Sequence, residues 1–175
     1  MSIIDATYFV KDINIPSSTY SDLAAYITRY EKEILIKLLG YELGTLVLAY
    51  NAITSPQRII DIVEGSEYTV GDYTVKWNGL KNTDKVSLIA YYVFYWWARN
   101  NATFTGTIGE MKSVGENAEN AKLNQRLSNA WLRMTDLAQS TEYPYHSLYC
   151  FLKENESDYP EWEFTELGTV NGFDL

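Results

Sequence analysis

One histidine and one cysteine, His146 and Cys150, stand four residues apart in the sequence. On a helix that spacing puts both on one face, where a thiol beside an imidazole base can act as a nucleophile. A sequential pair of this kind is a weak signal, since catalytic partners are brought together by the fold and need an oxyanion site besides. A small apolar thiol packed in a core is the competing reading, and the stronger one. A zinc centre would have to borrow two carboxylates from elsewhere. The acidic run Glu154-Asn-Glu-Ser-Asp158 spaces its oxygens without the glycine and the terminal glutamate of a calcium loop. Gly106-Thr-Ile-Gly109 lacks the Lys-Ser/Thr that completes a phosphate loop. The acceptor patterns at Asn101 and Asn155 are short enough to arise by chance, and the sequence starts without a signal-peptide pattern. Trp77, Trp96, Trp97, Trp131 and Trp162 could stack on a sugar, but two lie inside an apolar run and one beside a helical stripe, so core and interface use is expected. The reading of the residues therefore assigns no catalytic residue, no metal and no cofactor.

The elements that would position any site are organised around Thr83–Ala102, TDKVSLIAYYVFYWWARNNA. From Val86 to Ala98 nearly every side chain is apolar or aromatic, so this helix has no wet face and must be surrounded. It is too short to span a bilayer. Asn82 or Thr83 is the expected cap, with Asp84 in the first turn.

Composition sets the bounds. With 175 residues, 46% hydrophobic and 21% charged, the chain has enough apolar content for one globular domain. A net charge of -9 speaks against a general grip on phosphates. The single cysteine allows no internal disulfide, which suits a cytoplasm.

Residues 1–18 read as an arm, apolar at Ile3, Ile4, Tyr8, Phe9 and Val10 and extended before Pro16. Leu23, Ile27, Tyr30, Ile34 and Leu38 recur at helical spacing, with Arg29, Glu33 and Lys37 expected to pair on the opposite face. Gly40 ends that helix and Tyr41, Leu43, Leu46, Val47 and Tyr50 begin another. A short helix follows Ser55-Pro56. Residues 67–77 form a hairpin about Gly71-Asp72. Beyond the central helix, Thr103 to Gly115 reads as a projecting loop. Leu123, Leu127, Ala130, Met134 and Leu137 mark a second long helix, and His146 to Leu152 a last short one. The fold class expected is mainly α, a helical bundle around a buried central helix with one small hairpin and extended terminal segments: arm 1–18, core 19–153, tail 154–175.

Three stretches carry a resemblance. Tyr30-Glu-Lys-Glu-Ile-Leu-Ile-Lys-Leu-Leu-Gly40-Tyr-Glu-Leu43 resembles the first helix of the head-tail connector (adaptor) proteins of tailed bacteriophages. Tyr73-Thr-Val-Lys-Trp77-Asn-Gly79-Leu80 and Ser87 to Tyr95 resemble the hairpin and central helix, and Thr105-Gly106 with Asn124 to Trp131 the second long helix. The resemblance implies a structural virion protein in the neck between head and tail, assembled in the host cytoplasm. It implies a subunit that forms a ring with copies of itself, twelve-fold in that family, and docks on the portal protein. Tail or neck proteins then follow, and DNA is only channel cargo. An acidic channel wall would repel the duplex, and tyrosines suit subunit contacts. The expected contact residues are Tyr8, Phe9, Phe104, Ile108, Met111, Tyr159, Trp162, Phe164 and Phe173, all on the arm, the loop and the tail. The alternatives are a small cytoplasmic enzyme using the Cys/His pair and a monomeric aromatic-rich binding module.

Overall fold

The computed structural model describes residues 2–16, 20–101, 103–106, 109–112 and 117–168. It is mainly helical, in the order α1 (Tyr20–Leu48), α2 (Gln57–Glu64), β1 (Ser66–Val70), β2 (Tyr73–Trp77), α3 (Leu88–Asn101), β3 (Thr103–Gly106), β4 (Gly109–Lys112), α4 (Asn117–Gln139) and α5 (Leu148–Glu154). The central-helix reading holds: every residue from Leu88 to Tyr95 is buried, and α3 packs between α1 and α4. Its rings interlock with both neighbours. Trp96 stacks on Tyr30 of α1 at 5.6 Å, and Tyr95 meets Trp131 of α4 at 4.9 Å.

The start of α3 differs from expectation. Asn82 does not cap the helix. Its side chain binds both backbone groups of Val86, accepting from the N–H at 3.1 Å and donating to the carbonyl at 2.6 Å. An asparagine that satisfies local backbone in this way holds a loop in place of a helical turn. The helix begins only after Ser87, whose hydroxyl accepts from the Ile89 N–H at 3.3 Å, so Asp84 lies outside the first turn.

In α1 the predicted stripe Leu23, Ile27, Tyr30, Ile34 and Leu38 is buried throughout. The expected pairs of Glu33 with Arg29 and Lys37 do not form. Glu33 instead accepts the Tyr92 hydroxyl at 2.6 Å, and Arg29 lies over the Tyr30 ring. Gly40 interrupts the helix at φ 77°, ψ 170°, a conformation open in practice to glycine alone. A break there leaves the last carbonyls of the first segment without helical partners. The tail supplies them: the Trp162 indole donates to the Leu38 carbonyl at 3.1 Å and the Glu163 N–H to that of Leu39 at 3.4 Å.

The described parts of both terminal segments, residues 2–16 and 154–168, pack into the fold rather than lying at the edge of the core. Ile3, Ile4, Tyr8, Phe9, Ile13 and Ile15 sit in the core, and the Tyr8 hydroxyl joins the backbone of Asn82. At the other end Tyr159 and Leu167 are buried, Gln139 pairs with both backbone groups of Leu167, and the Trp131 indole donates to the Gly168 carbonyl. The first hairpin has the predicted turn, with Tyr68 opposite Val75. Part of the predicted loop is a second antiparallel hairpin, β3 with β4, in which Phe104 stands opposite Met111.

Gly40→Ala should cost about 1–3 kcal/mol for the backbone conformation alone. The new Cβ would also lie 2.9 Å from that of Glu163, so the tail must shift. Urea unfolding of the variant should show a lower midpoint with cooperativity retained, and an unchanged midpoint would contradict the cap.

Candidate functional site

His146 and Cys150 do not share a helix face. The α5 helix starts at Leu148 with Ser147 as its cap, leaving His146 in the preceding loop. Ser147 accepts from the Cys150 N–H at 3.1 Å and donates to the Ser140 carbonyl at 2.5 Å. The Cys150 thiol also donates to the Ser140 carbonyl, at 3.2 Å, and the residue is 8% exposed. The imidazole Nε2 meets Asp136 at 3.2 Å, while Nδ1 is buried with no partner among the described residues. One nitrogen is thus held by a carboxylate, and no thiol or hydroxyl among the described residues bonds the other. The cavity beside His146, about 170 Å³, is lined by Trp77, Asn78, Gly79, Asp84 and Leu137 among others, with no hydroxyl or thiol nucleophile in its wall. No group of three or more His, Cys, Asp or Glu side chains placed to hold a metal occurs among the described residues.

The tryptophans are committed inside the fold. Trp77 is buried with its indole on the Ile62 carbonyl, and Trp131 and Trp162 spend their N–H groups on Gly168 and Leu38. They form no platform.

The residues expected to make contacts divide into three groups. Tyr8, Phe9 and Tyr159 are core residues and cannot reach a partner. Trp162 and Phe164 are half-buried, packed on Tyr149 with ring centroids 5.7 Å and 4.8 Å away. Phe104 and Met111 are paired across β3 and β4, while Ile108 and Phe173 lie outside the described residues.

The exposed apolar surface is elsewhere. Tyr41 is 72% exposed and Ile53 92%, with Leu46 also in solvent. After the Gly40 break, Leu43 and Val47 turn inward at i,i+4, so Tyr41 and Leu46 are left facing out. The spacing carried this signal: so many apolar residues in two turns cannot share one face. Ile53 is presented by a tight turn. Asn51 Oδ1 accepts from the Ile53 N–H at 2.9 Å, and the Ser55 hydroxyl accepts from the Asn51 N–H at 2.9 Å. Beside this edge lies a recess of about 500 Å³, lined by Thr28, Lys32, Ile36, Tyr41, Thr45 and Leu48 among others.

Glu31, the one buried charged side chain among the described residues, also lines that recess. Glu31 is 3% exposed and accepts from the Ile3 N–H at 3.0 Å and 3.2 Å, tying the N-terminal segment to α1. Burial pushes its carboxyl above the usual glutamate range, with the Ile3 and Ile4 amides pulling the other way. Burial, helped by a Glu64 carboxylate that accepts its hydroxyl, also pushes Tyr50 up to about 12.

No family model, curated protein or solved structure matches the chain. No described helix is long and apolar enough to cross a membrane.

Two outcomes follow from this geometry. Native Cys150 should react with a thiol reagent orders of magnitude more slowly than the unfolded chain, and rapid native labelling would contradict its burial. Glu31 binds a proton more readily in the folded state than its ordinary value of 4.5 allows. Its contribution to stability is therefore fully present below that value and is lost as pH rises through the raised one. Relative to Glu31→Gln, the wild type should gain stability as pH falls from about 7 to about 4. A difference that is flat or opposite in slope, measured by urea unfolding across that range, would refute the assignment.

Proposed function

We propose that this chain is a structural subunit of the tailed-phage neck, a head-tail connector that forms a ring on the portal and continues the DNA channel toward the tail. The observation that carries the reading is the edge formed by Tyr41, Leu46 and Ile53, apolar side chains held in solvent by an ordered helix and turn. A ring hides one edge of each subunit against the next, so such side chains gain burial that a lone subunit cannot give them. Net charge of -9 fits a channel wall that does not hold the duplex. The resemblance of α1, the first hairpin and α3 to connector proteins supplies the partner and the location, the virion neck.

The contact residues differ from those the sequence suggested. Because residues 2–16 and 154–168 close the core, contacts fall to the α1 edge. An enzyme built on His146 and Cys150 would need the imidazole at the thiol, whereas the partners these groups have are Asp136 for the imidazole and the Ser140 carbonyl for the thiol.

Solution mass measured alone and with a portal ring tests the reading. The wild type should assemble with itself or on the portal. Ile53→Asp and Tyr41→Asp should stay folded by circular dichroism and lose assembly by at least tenfold in apparent affinity, about 1.4 kcal/mol or more. A wild type that remains a free monomer in both conditions, or variants that assemble normally, would contradict it.

A further inference from the structure

The corner at Gly40 encloses a recess. Thr28, Lys32 and Ile36 recur every four residues on the first segment of α1, and Tyr41, Thr45 and Leu48 recur at spacings of four and three on the second, so each set shares a helix face. The break at Gly40 turns both faces toward one space of about 500 Å³. Gly44 lets the two segments close at the apex, since a Cβ there would lie 3.0 Å from the Ile36 Cα. Ile36, Tyr41 and Leu48 make much of the wall apolar, and the hydroxyls of Thr28 and Thr45 are spent on the Ala24 and Tyr41 carbonyls of the same helix.

Glu31 lines the same space, and its carboxylate is undersupplied with partners. A carboxylate can accept about four hydrogen bonds. Here the Ile3 N–H is shared between the two oxygens and the Ile4 amide adds to it. No cation among the described residues lies within ion-pair distance. Lys32 is the next residue along the helix, and adjacent helical residues do not face each other. The positive amino terminus is the smallest of the influences on the carboxyl. A charged group this far out of water calls for a counter-charge or for filled lone pairs.

We infer that the recess is a site for a guanidinium or ammonium group on an aliphatic stem, the arginine or lysine side chain of a second copy of this chain, with Glu31 as its counter-charge. The stem lies along Ile36, Tyr41 and Leu48 while the head reaches the carboxylate. Tyr41 belongs both to this wall and to the exposed edge, so a chain that covers the edge stands at the mouth of the recess. A second copy has such side chains to offer: Arg29, Arg99 and Arg133 are exposed and make no ion pair among the described residues. That the side chain comes from the next copy in a ring rests on the connector reading, and the site itself does not.

The probe is n-butylguanidinium, titrated into the chain alone and followed by NMR. The amide signals of Tyr41 and Thr45 should shift saturably. Glu31→Gln should weaken the probe about tenfold or more, and n-butanol, which has the stem without the charge, should bind wild type more weakly by as much. Affinity for the probe should rise with pH as the Glu31 carboxyl ionises. The absence of a saturable shift, or a probe that binds Glu31→Gln as well as wild type or is matched by butanol, overturns the site. Thr45→Trp fills the recess from an exposed helical position. With folding checked by circular dichroism, it should lose both probe binding and assembly. A folded Thr45→Trp chain that assembles like wild type overturns the second copy's side chain as the ligand. A wild type that binds the probe, yet neither self-associates nor binds a portal ring, overturns the connector reading and that source while the site stands.

Discussion

Eight consecutive buried residues, Leu88 to Tyr95, leave α3 no face for water, and the rest of the chain is arranged to enclose it. Burial of this kind contributes about 1.5–3 kcal/mol for each large apolar side chain, so the covering elements are held mainly by what they cover. The α1 and α4 helices take two sides through Tyr30 and Trp131. The N-terminal segment closes another: the Tyr91 hydroxyl points to Asp12 at 3.5 Å, and Arg126 of α4 donates to the carbonyls of Asp12 and Asn14. Aromatic residues suit this work because their rings fill the centre while tyrosine hydroxyls reach polar partners at the edge, as Tyr92 does with Glu33.

The second constraint is the break at Gly40. It gives α1 a corner, frees two carbonyls and thereby fixes the course of the tail, which ends up spanning α1, α4 and α5 through Trp162, Phe164 and Leu167. It also decides which part of the chain is left bare. The turns beyond the break bury Leu43 and Val47 and hold Tyr41 and Leu46 in solvent, next to the turn that lifts Ile53. One backbone conformation thus seals the C-terminal segment and creates the exposed edge.

Helical periodicity was enough to find α1 and α4, an unbroken apolar run marked α3, and β-branched and aromatic runs about Gly71-Asp72 marked the first hairpin. Two things escaped it. The start of α3 depends on Asn82 gripping Val86, a side-chain choice that no propensity encodes, and the start of α5 depends on Ser147 rather than on the apolar pattern around His146. The fate of the chain ends escaped for a different reason. Ile3, Phe9 and Tyr159 lack any period because they sit on irregular backbone, and irregular apolar residues read alike whether they cover their own core or a partner. What decided between the two was Glu31 beneath Ile3 and the open carbonyls above Trp162, both distant in sequence. The exposed edge was hidden inside an apparent stripe, where Tyr41 and Leu46 were grouped with the residues that do face inward.

With residues 2–16 and 154–168 packed into the fold, the surface we assign to contacts with other copies or partners is the α1 edge. Amide hydrogen exchange on the chain alone and on the chain mixed with a portal ring, the proposed partner, tests this assignment most directly. Protection should rise on assembly at residues 41–53, while the amides of Ile3, Ile4, Glu163 and Leu167 are already protected in the chain alone and do not change. Fast exchange at those four amides in the free subunit, with protection gained there on assembly, would mean that the chain ends are the interface after all and would contradict the account.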